Sequence, residues 1–236
     1  GLSVTNFLNY VTTGAFENMF VHRTNSGSAQ FVQGGGFKVS DSQITPVVTN
    51  APIQNQFNAA NGNVAGTLAM ALTDASFHSG TSGWFINTTD NSAGFDPGKY
   101  TVFGRVIGDG LTVVSQISNL TRNNLNDLYG STALETVPLT SFNATNTPLT
   151  GQIATVANGA VLTGTGTLFT TELSVGQSVA INGRAYFVAS IASNTSLTLK
   201  TTVPFTSSGG TVKKNVVPTD AEFVVFSDIG KILDTL

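Results

Sequence analysis

VHRTNSGSAQFVQGGGF, Val21 to Phe37, poses the organising question of this chain. Arg23 stands ten positions ahead of Gln33, apolar residues surround both, and Gln33 opens onto Gly34-Gly35-Gly36. A chain with only 10% charged residues keeps a guanidinium here and follows it with backbone almost bare of side chains. Glycine-rich backbone takes positive φ or lets another group come close. Working outward, NMFVHR, AQFVQGGGF, AGTLAMAL, SGWFINT and YTVFGRVI are short apolar or alternating runs divided by turn residues. That is the pattern of half-buried and buried strands.

Two helices frame these runs. In SVTNFLNYVTTG, Ser3 is placed to cap, Val4, Phe7, Leu8 and Val11 recur at helical spacing, and Gly14 is a natural stop. In GDGLTVVSQISNL, Leu111, Val114 and Ile117 share one face behind Asp109 as the cap. The expected fold class is mainly β: a barrel with two helices at its ends, plus a second small all-β module.

Composition sets the bounds. At 236 residues the chain is long enough for one large domain or two small ones. A net charge of −3 offers no basic footprint for nucleic acid and no patch for an anionic membrane. The apolar runs are far too short to span a bilayer. No charged-then-apolar leader stands at Gly1, so a signal peptide is expected to have been removed or never to have belonged to this chain. Cysteine is absent, which excludes a disulfide framework and thiolate metal sites. Threonine-, asparagine- and glycine-rich, lysine-poor composition points to an extracellular or cell-surface bacterial protein, with the periplasm as second choice. Asn-x-Ser/Thr triplets at Asn87, Asn119, Asn143 and Asn194 are expected by chance in such a chain.

The texture changes after Pro148. GAVLTGTGTLFTTELSVGQSVAINGRAYFVASIASNTSLTLKTTVPFTSSGGTV is nearly uncharged, and Asn182-Gly183 between two apolar runs is a strong hairpin signal. Residues 149–215 are therefore expected to form a small β module of five or six strands, as a barrel or sandwich. AEFVVFSDI then reads as a strand of the first domain. The expected division is residues 1–148, an inserted module at 149–215, and a returning strand and tail at 216–236.

With these residues in hand, TNFLNYVTTGAFEN, VHR, FVQGGGF, GTLAMA, TSGWFIN and YTVFGRVIGDGLTVVSQI together resemble the cyclophilin family of peptidyl-prolyl cis–trans isomerases. The resemblance covers about residues 2–139, with a last strand near 222–229. It implies an antiparallel barrel with a helix at each open end and cofactor-free rotation about X–Pro bonds in peptides or proteins. It assigns Arg23 as the catalytic hydrogen-bond donor to the prolyl nitrogen and Gln33 as its partner toward the substrate backbone. Phe31, Met70, Ala71, Phe85 and Phe95 would form the apolar floor for the proline ring. Tyr100 joins the substrate-binding set in place of a histidine common in eukaryotic members.

Other positions depart from the family pattern. Gln30 stands in place of a pocket phenylalanine, Gly83 in place of a substrate-binding glutamine, Leu72 at a polar or basic position, and Gly94 where an aromatic is frequent. His22 matches a framework histidine expected to satisfy a core hydrogen bond, and His78 is expected to face solvent. No metal-ligand spacing, phosphate loop or nucleophilic triad is legible, so no cofactor or metal is expected.

Family members carry two strands ahead of the first helix, where this chain has one or two residues. The barrel should lack them and present open edges. The strands are cleaved away, donated by another chain, or replaced by strands of the later module. The β module resembles, more loosely, small β modules of phage tail and bacterial surface proteins. The alternative to an isomerase is thus a non-catalytic subunit of an extracellular filament or surface assembly, a homo-oligomer formed by strand exchange. A third reading, a carbohydrate-binding surface protein, rests on composition and on Trp84.

Overall fold

The structure is a computed structural model that describes residues 1–73, 76–142, 147–214 and 217–226. It divides the chain into two compact units. The first comprises Gly1–Asn124, Ala133–Thr140 and Asp220–Leu236; the second comprises Leu125–Thr132 and Ser141–Thr219. Set beside the expected boundaries at 149 and 215, residues 125–132, 141–148 and 216–219 go with the second unit. The triplet at Asn143 and the end of AEFVVFSDI lie outside the described residues.

The first unit opens with helix α1 (Leu2–Thr12), followed by β1 (Met19–Phe20), β2 (Arg23–Ser26), β3 (Gln30–Gly34), β4 (Phe37–Ser40) and β5 (Gln43–Pro46). Next come β6 (Thr67–Met70), β7 (Trp84–Asn87), the single turn α2 (Ser92–Phe95), β8 (Val102–Arg105), helix α3 (Gly110–Ser118), β9 (Thr121–Asn123) and β10 (Val137–Leu139). One sheet runs β2-β3-β7-β6-β8 and β9 pairs with β10. All these pairings are antiparallel.

The second unit forms one eight-stranded sheet. It contains β11 (Thr147–Pro148), β12 (Gln152–Thr155), β13 (Val161–Thr165), β14 (Ser178–Ile181), β15 (Arg184–Ser193), β16 (Ser196–Leu199), β17 (Ser207–Gly210) and β18 (Lys213–Lys214). Eight strands replace the five or six expected. The two-residue strands β11 and β18 are too short to show an alternating pattern, and β15 pairs with β14 along its first half and with β16 along its second. The hairpin at Asn182-Gly183 is present, with φ of 51° and 79°. Leu162, Phe169, Val179, Leu197 and Val203 are buried at the centre of this unit's own core.

The chain then returns to the first unit, where β19 (Val225–Phe226) pairs with β1 in a second sheet of order β19-β1-β4-β5. Among the described residues β8 and β5 each pair on one side only, so the sheets of the first unit do not close into a ring.

Helix α1 starts at a different cap from the one expected. Gly1 is its N-cap, and Ser3 lies inside the helix, 2% exposed, with its backbone N–H donating to Gln56 Oε1 at 3.0 Å. A distant carboxamide supplies what a local hydroxyl was expected to supply. The buried line is Ser3, Asn6 and Tyr10, with Phe7 and Val11 packed beside it, while Val4 is exposed. Asn6 turns inward because its Nδ2 donates to the Thr81 carbonyl at 2.6 Å. Helix α3 follows expectation, with Asp109 at the N-cap and Val114 and Ile117 packed on the core.

Candidate active site

Strand register assembles the site. Arg23 on β2 lies opposite Gln33 on β3, Gln33 opposite Phe85 on β7, and Phe85 opposite Ala69 on β6. Alternation puts Phe31 on the same face as Gln33, and Asn25 on the same face as Arg23. The row borders a cavity of about 260 Å³ lined by Arg23, Asn25, Ala29, Phe31, Gln33, Ala71, Leu72, Phe85, Phe95 and Tyr100.

Its floor is a cluster of rings. Phe85 meets Phe95 at 5.1 Å and Tyr100 at 5.6 Å between centroids; Phe31 meets Phe85 at 5.8 Å and Phe95 at 5.9 Å. The Arg23 guanidinium stands 5.3 Å from the Phe31 ring centroid, a distance at which ring and cation attract. Neither that guanidinium nor the Gln33 carboxamide makes a side-chain hydrogen bond among the described residues. Their donors are free toward the cavity.

The three glycines hold this geometry in place. A Cβ on Gly34 would come within 2.5 Å of the Trp84 ring, and one on Gly36 within 3.0 Å of the His22 ring. Gly35 has φ of +81° and packs on the Ser82 carbonyl. Trp84 itself is 4% exposed and belongs to the core, so it offers no platform to a sugar.

His22 is 3% exposed, edge-on to Phe20 and Phe37, and its Nδ1 has no hydrogen-bond partner among the described residues. The expected core hydrogen bond through that nitrogen is therefore absent there. Burial, and secondarily the neighbouring Arg23 charge, push its pKa down to about 3. Arg23 is the one charged side chain among the residues lining the cavity, of which His22 is not a member. His78 lies exposed, as expected, with Nδ1 accepting the Asn55 N–H at 3.0 Å.

Seven of the eight residues expected at the site line the cavity. Met70 does not: period-2 alternation between Ala69 and Ala71 turns it to the other face, where it packs on Gly80. Asn25 and Ala29 line the cavity without having been singled out. Asn25 Nδ2 donates to the Ala29 carbonyl at 2.7 Å and its Oδ1 accepts the Gly27 N–H, which folds the β2–β3 loop into a wall. The signal was there: Asn25 is two residues along the strand from Arg23. Gly83 is not among the lining residues but adjoins one of them: a Cβ there would sit 3.2 Å from that of Ala71. Among the described residues no group of three His, Cys, Asp or Glu is placed to hold a metal ion, and no helix is long and apolar enough to cross a membrane.

Residues 2–142 match the family described as cyclophilin type peptidyl-prolyl cis-trans isomerase/CLD. The chain is 38% identical over 128 residues to peptidyl-prolyl cis-trans isomerase A of Dickeya dadantii (strain 3937), covering 52% of this chain and 63% of that protein. It is 39% identical over 124 residues to peptidyl-prolyl cis-trans isomerase B of Escherichia coli (strain K12), covering 50% of this chain and 71% of that one. A crystal structure of a cyclophilin type peptidyl-prolyl cis-trans isomerase of Cryptosporidium parvum, in the presence of the dipeptide ala-pro, superposes with a TM-score of 0.41 at 17% identity. It covers 57% of this chain and 77% of that one.

Proposed function

Because the chain belongs to the cyclophilin-type peptidyl-prolyl cis–trans isomerase family, we propose that it rotates X–Pro peptide bonds at the cavity beside Arg23. Resonance gives the peptide C–N bond partial double-bond character and a rotation barrier of roughly 18–20 kcal/mol. At the twisted geometry resonance is lost and the prolyl nitrogen regains its lone pair. A donor aimed at that nitrogen stabilises the twisted state more than either planar state, and that difference is the catalysis. Arg23 presents a fixed, planar fork of N–H donors. Gln33, opposite it in register, orients the substrate backbone, while Phe31, Phe85, Phe95 and Tyr100 take the proline ring. No nucleophile, metal or cofactor enters the scheme.

The single observation that carries the proposal is a guanidinium with no hydrogen-bond partner among the described residues, 5.3 Å from the centroid of an aromatic ring in the cavity floor. The test is turnover of a proline-containing tetrapeptide by exchange NMR. Wild-type protein should accelerate interconversion, and Arg23→Ala should lower kcat/KM roughly 100-fold or more. Equal rates for the two proteins refute the assignment.

A second reading, assembly with other copies by strand exchange, is favoured by one observation. Strand β8 pairs only with β6 among the described residues, and a groove of about 440 Å³ runs along β8 between Ala60 and Arg105. Sedimentation at rising concentration tests it; a monomer throughout would dismiss it. Low charge and threonine-rich composition support an extracellular location, to be checked by fractionating the source cells.

A further inference from the structure

A chain of amides stands beside the aromatic cluster. Asn63, Asn87 and Asn91 are 0%, 0% and 3% exposed. Each uses both amide hydrogens and its oxygen. Asn63 Nδ2 donates to Asp96 Oδ1 at 2.8 Å and to the Tyr100 carbonyl at 3.0 Å. Asn87 Nδ2 donates to Asn63 Oδ1 at 3.2 Å and to Thr67 Oγ1 at 2.9 Å. Asn91 Nδ2 donates to Asn87 Oδ1 at 2.7 Å and to the Gln30 carbonyl at 2.8 Å, while its Oδ1 accepts the Gln30 N–H at 3.0 Å.

The chain has a direction, and a carboxylate sets it. An ionised carboxylate only accepts, so Asp96 obliges Asn63 to face it with its NH2. The Asn63 oxygen must then face Asn87, whose oxygen in turn faces Asn91, whose oxygen receives the Gln30 N–H. A flip of any one amide would set donor against donor in a place where water cannot intervene.

The ends of the chain are where the cavity is built. Gln30 precedes Phe31, Asp96 follows Phe95, and the Tyr100 carbonyl is itself a member. Three of the rings are thereby tied through backbone to one frame. Three carboxamides in the interior cost desolvation that apolar side chains would not. A fully satisfied polar network returns a unique register instead.

We propose that Asn63, Asn87 and Asn91, oriented by Asp96, are positioning residues that fix the spacing of Phe31, Phe95 and Tyr100 and so set the affinity for the proline ring. This rests on the isomerase reading for its substrate, though not for the frame itself. In Asn91→Ala, KM for a proline tetrapeptide should rise about tenfold with kcat within twofold of wild type, and ring flips of Phe95 and Tyr100 should quicken by NMR. Asn63→Asp sets a second carboxylate against Asp96, and the chain re-forms only when the two share a proton. The ratio of its KM to that of wild type at the same pH should therefore be larger at pH 8 than at pH 5.

An unchanged KM and unchanged ring flips in Asn91→Ala, with only a lowered melting temperature, would reduce the network to a structural one. A pH-independent KM ratio for Asn63→Asp would likewise overturn the directional scheme. If the wild-type protein fails to turn over the peptide, the isomerase reading falls, and the ring-flip comparison still decides the frame. Arg23→Ala, losing turnover with wild-type ring behaviour, keeps the two apart.

Discussion

Gly35, with φ of +81°, lies so close to the Ser82 carbonyl oxygen that a methyl group on its Cα would collide with it. Gly35→Ala therefore combines backbone strain with a backbone clash and should cost roughly 2–4 kcal/mol, read as a lowered urea midpoint with unchanged slope. His22 supplies a second test at this scale. Its folded pKa of about 3 lies below the ordinary 6.5, so between those values the unfolded chain takes up a proton that the folded one refuses. The contribution of His22 is complete above pH 6.5 and lost as pH falls toward 3, about 2 kcal/mol of it by pH 5. His22→Asn, compared with wild type across this range, should show a flatter decline of stability with acidification. Parallel curves would mean that the buried imidazole does not titrate as argued.

At the scale of elements, β4 and β5 join through Asp41-Ser42, both with positive φ, 51° and 58°. Neither residue is glycine, and the turn is held from outside: their N–H groups donate to the two carboxylate oxygens of Asp220 at 2.9 and 2.7 Å. Asp220→Ala should cost about 1–2 kcal/mol and speed hydrogen exchange at those two amides before others in the hairpin. This latch joins positions 178 and 179 residues apart, so no local pattern around Asp41 announces it. The same contrast governs how much of the molecule was legible. Strands β3, β6, β7 and β8 were readable because alternation and turn residues are local. The α1 cap was misread because Gln56, far along the chain, competes with Ser3. Met70 was placed in the cavity by family likeness, although period 2 on β6 sends it to the opposite face. Asn63, Asn87 and Asn91 were invisible as a set because three ordinary asparagines become a network only after β7, α2 and the 61–64 segment are brought together.

For the molecule as a whole, each unit has its own apolar core. Leu162 and Leu197 are 0% and 1% exposed in one, Phe16 and Tyr10 1% and 2% in the other. A cavity-forming substitution should therefore report on the unit that contains it. Leu162→Ala should destabilise the second unit by roughly 2–5 kcal/mol while leaving peptide turnover near wild type at temperatures where the first unit stays folded. Phe16→Ala should cost roughly 3–5 kcal/mol and take turnover down with the first transition. Calorimetry paired with an activity assay distinguishes the two, and loss of turnover in Leu162→Ala would show that the units are not independent.

The chain leaves the first unit and comes back to it at almost the same spot. The Thr140 amide donates to the Glu222 carbonyl at 3.0 Å, and Leu139 bridges Phe223 beside it. Residues 141–219, which make up the second unit together with 125–132, thus leave and rejoin the first between positions held one hydrogen bond apart. A folded guest whose two ends lie side by side could be exchanged there at little cost in ring-closure entropy to its host, provided that residues 125–132, which belong to the same unit, are exchanged with it.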